Sequence, residues 1–197
     1  KSSTIMVVVE SDGSRIALLV DGRWRVETST GTVFHTRTVF VAAGVGAFVP
    51  KALKAPGVDE LGTGQLHYHP QQLDMAAGRQ ALVYGGDEEA VAAAIACSSS
   101  AARTVLMHRR DSFNAEPAQL TRLQQLRESG TVGVLIGQIT EVRHGDGRLQ
   151  AVQWMDGEGD EHLQPVEQLL VYQGISPKLG PLTDWGLALE RKQLAVD

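Results

Sequence analysis

The chain has 197 residues, enough for one large domain or for one domain with part of a second. Its 43% hydrophobic and 21% charged residues suit an ordinary globular core, and no apolar run is long enough to span a bilayer. A net charge of −5 gives no electrostatic pull toward nucleic acid or an anionic membrane, so neither is expected as a partner. The single cysteine, Cys97, excludes an internal disulfide and any Cys-x-x-Cys pair within these residues. No signal-peptide pattern is legible, which makes a cytoplasmic location the default expectation. Lys1 in the first position leads to the expectation that the chain is a piece of a longer polypeptide.

The first part reads as strands. Ser3–Glu10 is rich in Val and Ile, and Asp12-Gly13 and Asp21-Gly22 are turn signals. Arg15–Val20 and Arg23–Thr28 form a predicted hairpin, followed by Thr32–Phe34, and Val39–Ala43 suits a buried strand ending at Gly44. Residues 1–44 are thus expected to be an antiparallel meander leading into one buried strand. Residues 45–66, broken by Pro50, Pro56, Gly57, Gly62 and Gly64, read as a connector.

The pattern then changes. Gln71–Ala77 is a predicted short helix stopped by Gly78. Gln80–Tyr84 is a strand ending at Gly85-Gly86, and Asp87–Ser98 is an Ala-rich helix. Thr104–Met107 is a second buried-type strand. Ala115–Ser129 is an amphipathic helix carrying Leu120, Leu123 and Leu126, ended by Gly130. Strand, glycine turn, helix, strand and helix in that order begin a parallel, doubly wound sheet. From Val132 to Val171 the reading returns to strands, with tight turns at Gly145-Asp146-Gly147 and Asp156–Asp160. This fits a three-stranded meander inserted before a last parallel strand, Leu169–Tyr172. The tail, 177–197, reads as loop with a short strand at Gln193–Val196.

The chemistry-bearing segment is Ala81-Leu82-Val83-Tyr84-Gly85-Gly86-Asp87-Glu88-Glu89-Ala90-Val91. A glycine turn between a buried strand and a helix leaves backbone N–H groups open, and the helix N-terminus adds partial positive charge, so a pyrophosphate can dock there. Gly85 permits the tight turn, and the small Ala90 lets helix and strand approach. The middle position of a Gly-x-Gly-x-x-Ala frame, however, holds Asp87, and Glu88 and Glu89 follow. These three carboxylates can cap the helix and satisfy the dipole that a phosphate would use. Dinucleotide binding and a ligand-free capped helix both remain open on this segment alone. At the end of the next strand stands Val105-Leu106-Met107-His108-Arg109-Arg110-Asp111-Ser112-Phe113, near the interval at which such a fold reads the adenosine ribose. An acid there favours a free 2′-hydroxyl. Arg109 and Arg110 suit a 2′-phosphate instead, unless they pair with Asp111 or Glu116 at the surface.

With these residues in place, the chain resembles the thioredoxin-reductase-like ferredoxin/flavodoxin–NADP⁺ reductases, within the FAD-dependent pyridine-nucleotide reductases. Thr36–Pro50 is similar to the family's crossover from its FAD domain. Leu66-His67-Tyr68 matches a His-Tyr segment near which thioredoxin reductases carry Cys-x-x-Cys. His108–Phe113 is similar to the NADP-phosphate motif, and Leu179–Leu187 to the closing segment. The resemblance implies a Rossmann-like three-layer α/β domain at 67–176 that binds NADP(H) and carries an inserted antiparallel β-meander. Residues 1–44 would then be the end of the first half of an FAD domain, and 177–197 a return toward its second half. It implies an intact protein that passes electrons from NADPH through FAD to ferredoxin or flavodoxin, with this piece inactive alone and a homodimer compatible. The residues placed at the cofactor are Gly85, Gly86, Asp87, Glu88, Glu89, His108, Arg109, Arg110, Asn114 and Gly174. Asp87 departs from the family's second glycine, and Asn114 stands where Arg or Gln is frequent. The alternatives are a degenerate, non-catalytic nucleotide-fold module and a disulfide reductase with its thiols elsewhere.

Other residues have structural readings. His67 and His69 could pair on a metal, but spacing offers no third ligand, and a linker or interface role is preferred. Ser98-Ser99-Ser100 reads as loop, Cys97 as a packed small residue, and Trp24, Trp154 and Trp185 as packing.

Overall fold

The computed structural model describes residues 15–18, 22–28, 30–40, 47–178, 185–186, 188–190 and 193–194. The chain divides into two compact units, one of residues 1–49 with 175–197 and one of residues 50–174. In the first unit, β1 (Arg15–Leu18), β2 (Trp24–Glu27) and β3 (Val33–Thr36) form an antiparallel sheet, with Leu18 opposite Trp24 and Glu27 opposite Val33. The turn between β2 and β3 is tied by the Thr28 hydroxyl, which accepts from the Thr32 amide at 3.1 Å. The predicted hairpin is therefore present. The predicted strand over Ser3–Glu10 lies outside the described residues, as does the 41–43 part of Val39–Ala43. Val39 and Phe40 are not in a strand, and Phe40 is 87% exposed, so the expected buried strand does not begin there. Instead β4 (Ala47–Pro50) forms inside the expected connector.

The second unit holds the chemistry. Its strands are β5 (Leu66–Tyr68), β6 (Gln80–Gly85), β7 (Arg103–His108), β8 (Val132–Gly145), β9 (Arg148–Asp156), β10 (Glu161–Pro165) and β11 (Gln168–Tyr172). They form one sheet in the order β10-β9-β8-β7-β6-β11-β5. The run β8-β7-β6-β11-β5 is parallel, and β8-β9-β10 is the predicted antiparallel meander. β8 serves both parts: its first residues pair with β7, from Thr104↔Val132 to His108↔Ile136, and from Gly137 onward it pairs with β9. The helices α1 (Glu88–Cys97) and α2 (Pro117–Glu128) follow β6 and β7.

Period-two burial sorts the sheet's side chains into two cores. Ala81, Val83, Leu106, Val132 and Leu170 face Val91, Ala94 and Cys97 of α1 and Leu123 and Leu126 of α2. Leu82, Val105, Met107, Leu169 and Val171 face the other way, onto Val142, Leu149, Val152, Trp154 and Leu53. The result is a three-layer α/β arrangement in which the meander takes the place of a second helical layer. Each fully buried Leu or Val contributes roughly 1.5–3 kcal/mol of burial. α2 starts at Pro117, whose missing N–H costs nothing at that position, and stops before Gly130 at φ 73°.

Three readings need correction. Gln71–Ala77 is a single 3₁₀ turn, Asp74–Ala76, because so short and polar a segment cannot offset helix nucleation. Leu66, read as the end of the connector, instead opens the strand Leu66–Tyr68, since the buried β11 offers it an edge. β12 (Ile175–Lys178), whose second half falls in the tail read as loop, pairs with β4. β13 (Leu189–Glu190) pairs antiparallel with β14 (Gln193–Leu194), inside the predicted terminal strand.

Candidate functional site

Chain order reverses between β6 and β11, and ligands of open α/β sheets bind outside the strands' carboxyl ends at such a switch point. Two turns meet there, one after β6 and one after β7.

The turn after β6 is built by close contact. Gly85 lies opposite Tyr172, and a Cβ on it would stand 2.8 Å from Tyr172 Cβ and 2.9 Å from Ala90 Cβ and would strike the Tyr172 carbonyl. Only glycine fits, and Ala90 is fully buried against it. A Cβ on Gly86 would stand 2.5 Å from the His108 ring, so that ring lies directly over the turn. Asp87, at φ −88° and ψ 176°, is the N-cap, and its Oδ1 accepts from the Ala90 amide at 3.0 Å. The capping anticipated in the sequence is thus present but partial. Among the described residues, the amides of Glu88 and Glu89 donate to nothing and remain at the positive end of the helix.

The turn after β7 is organised by His108. Its Nδ1 donates to the Arg110 carbonyl at 3.1 Å and the Ser112 carbonyl at 3.2 Å, and its ring packs on Phe113. The Asn114 amide donates to the Gly86 carbonyl at 2.8 Å, which locks the two turns together. Arg109 and Arg110 are exposed. Of the two acids that could have neutralised them, Asp111 pairs with Arg127 at 3.2 Å, and Glu116 forms no ion pair with either among the described residues. Among the described residues, no ion pair or hydrogen bond engages either guanidinium. Gly174, also placed at the cofactor from the sequence, follows β11 at φ 78°, and its carbonyl accepts from the Lys51 amide at 3.0 Å.

Several residues at this edge were not singled out in the sequence. Tyr84 lies 7% exposed at the end of β6. Burial raises its phenol pKa, an effect offset in part by a hydrogen bond to the Ile139 backbone, by the Arg109 charge and by the Gln173 side chain. Lys51 brings its Nζ within 4.0 Å of where a Gly174 Cβ would be. His69 was read as a linker or interface residue in preference to a metal ligand, and not as part of this site. It places Nδ1 2.7 Å from Glu89 Oε2, while His67 bonds Gln168 Oε1 at 2.9 Å, so the two rings serve separate partners. His69 has φ 46°, a conformation costing an L-residue with a Cβ roughly 1–2 kcal/mol. Tyr172 packs edge-on against it at 5.1 Å and donates its hydroxyl to the Pro70 carbonyl at 2.9 Å. The Tyr172 phenol pKa is raised, first by burial and further by negative charge on Cys97, Glu89 and Asp87.

A cavity of 460 Å³ opens at the opposite end of the sheet, lined by Ser98, Ala101–Thr104, Gly130, Thr131 and Gly133. The carboxyl ends of α1 and α2 point there. Their partial negative charge opposes an anionic ligand, which leaves the glycine and arginine turns as the better place for a phosphate.

The family model for pyridine nucleotide-disulphide oxidoreductases matches residues 6–196. The chain belongs to this family. A ferredoxin–NADP reductase of Acidovorax sp. (strain JS42) is 53% identical over 186 residues, which cover 92% of this chain and 52% of the relative. One from Paracidovorax citrulli is 45% identical over 188 residues, covering 90% and 52%. The chain therefore spans about half the length of the curated relatives it matches. Among solved structures, Lactococcus lactis thioredoxin reductase superposes with a TM-score of 0.71 at 20% identity, covering 89% of this chain and 57% of that one. Thioredoxin reductase from T. acidophilum gives 0.70 at 20%, covering 91% and 58%. The bacillithiol disulfide reductase of Staphylococcus aureus gives 0.71 at 14%, covering 90% and 53%. These likenesses show the same fold, a Rossmann-like α/β domain of this family. Among the described residues, no helix is long and apolar enough to cross a membrane.

Proposed function

We propose that residues 50–174 hold NADP(H) for a flavin-dependent reductase, in which the intact protein passes electrons between NADPH and FAD and then to ferredoxin or flavodoxin. The observation that carries this reading is the pair of exposed guanidiniums, Arg109 and Arg110, with no acid partner among the described residues, beside a glycine turn with open helix amides. The residues fit the ligand's chemistry. Gly85 and Gly86 keep the turn flat, the Glu88 and Glu89 amides face a diphosphate, and the two arginines offer paired, charge-assisted bonds to a 2′-phosphate. His108 and Asn114 fix the two turns relative to each other, and Gly174 borders the opposite side of the switch point. NADPH, when bound, supplies a hydride to the flavin. The protein's part is to bind and orient it and to discriminate by the 2′-phosphate. Ferredoxin as electron partner rests on the names of the curated relatives, and flavodoxin on the resemblance seen in the sequence.

A second reading has its own support. Asp87 caps Ala90 and puts a carboxylate where the usual fingerprint has glycine, as expected of a nucleotide fold that no longer binds. Calorimetric titration of the chain with NADP⁺ and NAD⁺ separates the two. The binding reading expects NADP⁺ to bind more tightly than NAD⁺ by about tenfold or more. Absence of heat with either at millimolar ligand supports the second reading.

A further inference from the structure

The mouth of α1 carries three carboxylates, Asp87, Glu88 and Glu89, where a diphosphate would have to approach. Asp87 is turned inward onto Ala90. Glu89 is held by His69, which reaches it from the loop after β5. In the strand order, β5 and β11 lie on one side of β6 and β7 on the other. The contact therefore draws Glu89 toward the β5 side, away from the turn that carries Arg109 and Arg110.

The His69 ring is constrained from several directions. Its backbone amide extends the sheet by donating to the Val171 carbonyl at 3.0 Å, the Tyr172 ring meets it edge-on, and Pro70 behind it receives the Tyr172 hydroxyl. Three features make a purely stabilising role a poor account. His69 sits in left-handed backbone, where a ring-bearing residue is strained, and its Nε2 is buried with no partner among the described residues. The acid it binds is 60% exposed, and pairs of that kind add little to stability. A structural loop end at this φ would be better served by glycine or asparagine.

We infer that His69 is a positioning residue that withdraws the Glu89 carboxylate from the mouth of α1 and so lets a diphosphate approach the open amides. This rests on the nucleotide reading above and deepens it. His69 touches no ligand in this account. It acts through Glu89, and the effect is confined to the diphosphate half of the site, while the arginine half is independent of it.

The test uses the whole chain and two probes, NADP⁺, which carries a diphosphate, and adenosine 2′-monophosphate, which lacks one. His69→Gly removes the ring without backbone strain, and His69→Asn keeps a short donor that tolerates left-handed φ. His69→Gly weakens NADP⁺ binding about tenfold and leaves adenosine 2′-monophosphate unchanged, as one freed negative charge near the diphosphate requires. Glu89→Gln added to His69→Gly restores the NADP⁺ affinity, and His69→Asn binds like the unaltered chain. Thermal unfolding verifies that each variant folds. NADP⁺ affinity unchanged in His69→Gly overturns the inference, as does a loss that Glu89→Gln fails to recover. An unaltered chain that binds neither probe overturns the nucleotide reading itself, and an unaltered chain that binds adenosine 2′-monophosphate but not NADP⁺ shows that the diphosphate half is closed whatever His69 does.

Discussion

The turns after β6 and β7 lie side by side on one sheet edge and use their charges in opposite ways. The β6 turn is acidic, and two of its three carboxylates are consumed within the fold, Asp87 by the Ala90 amide and Glu89 by His69. The β7 turn is basic. Its structural work is done by His108, and its own acid, Asp111, is taken by Arg127, so Arg109 and Arg110 have no acid partner among the described residues. Where polar groups satisfy one another, a turn holds the fold. Where they are left over on a rigid frame, it faces a ligand. On the proposed nucleotide reading, the contrast assigns most of the affinity to β7 and most of the shape to β6.

Removing the basic half tests the contrast most severely. Arg109→Ala with Arg110→Ala should lower NADP⁺ affinity by roughly 10²–10³, since each charge-assisted contact contributes about 1.5–3 kcal/mol, and should leave NAD⁺ binding nearly unchanged. Calorimetry reads both, and an unchanged preference for NADP⁺ would place the phosphate elsewhere. The complementary test of the β6 turn is Gly85→Ala, whose methyl meets backbone and buried Cβ atoms. It should cost about 2–3 kcal/mol in denaturant unfolding, a large value for one methyl group. Equal stability would mean that the turn is looser than described. Asp87→Gly sharpens the comparison by making the β6 turn less self-satisfied. Losing the cap to glycine costs only a few tenths of a kcal/mol, while removing the charge should tighten NADP⁺ about tenfold. Weaker binding would show that the Asp87 cap helps to hold the site open.

The smallest effect concerns alkaline pH. The Cys97 thiol, raised by burial, and the Tyr172 phenol, raised by burial and by neighbouring negative charge, both keep their protons longer folded than unfolded. The unfolded chain therefore loses protons first as pH passes the ordinary values of 9.0 and 10.0, and stability falls with rising pH across that window. Melting temperatures between pH 8 and 10.5 check this, and Cys97→Ala should flatten the first part of the decline.

The β6–α1–β7–α2 run was legible because long apolar strands, a glycine turn and amphipathic spacing agree there, and the inserted meander was legible from its Gly-Asp-Gly and Asp-Gly turns. Leu66–Tyr68 was not, since three residues carry no period and become a strand only because Leu169–Val171 lies beside them. The short helix over Gln71–Ala77 failed for want of length. At the site, Gly85, Ala90 and the arginine pair could be found from spacing alone. The use of Asp111 by Arg127 could not, because only folding decides which acid reaches which base. The same holds for His69 and Glu89, which are far apart in sequence and meet because β5 docks beside β11.

The most direct test of where the nucleotide sits is amide chemical-shift mapping of the isotope-labelled chain titrated with NADP⁺. The largest shifts are expected at Gly86–Glu89 and at Arg109–Asn114, the two turns at the carboxyl edge. Shifts concentrated instead at Ala101–Thr104 and Gly130–Gly133, around the cavity at the other end of the sheet, would contradict this placement.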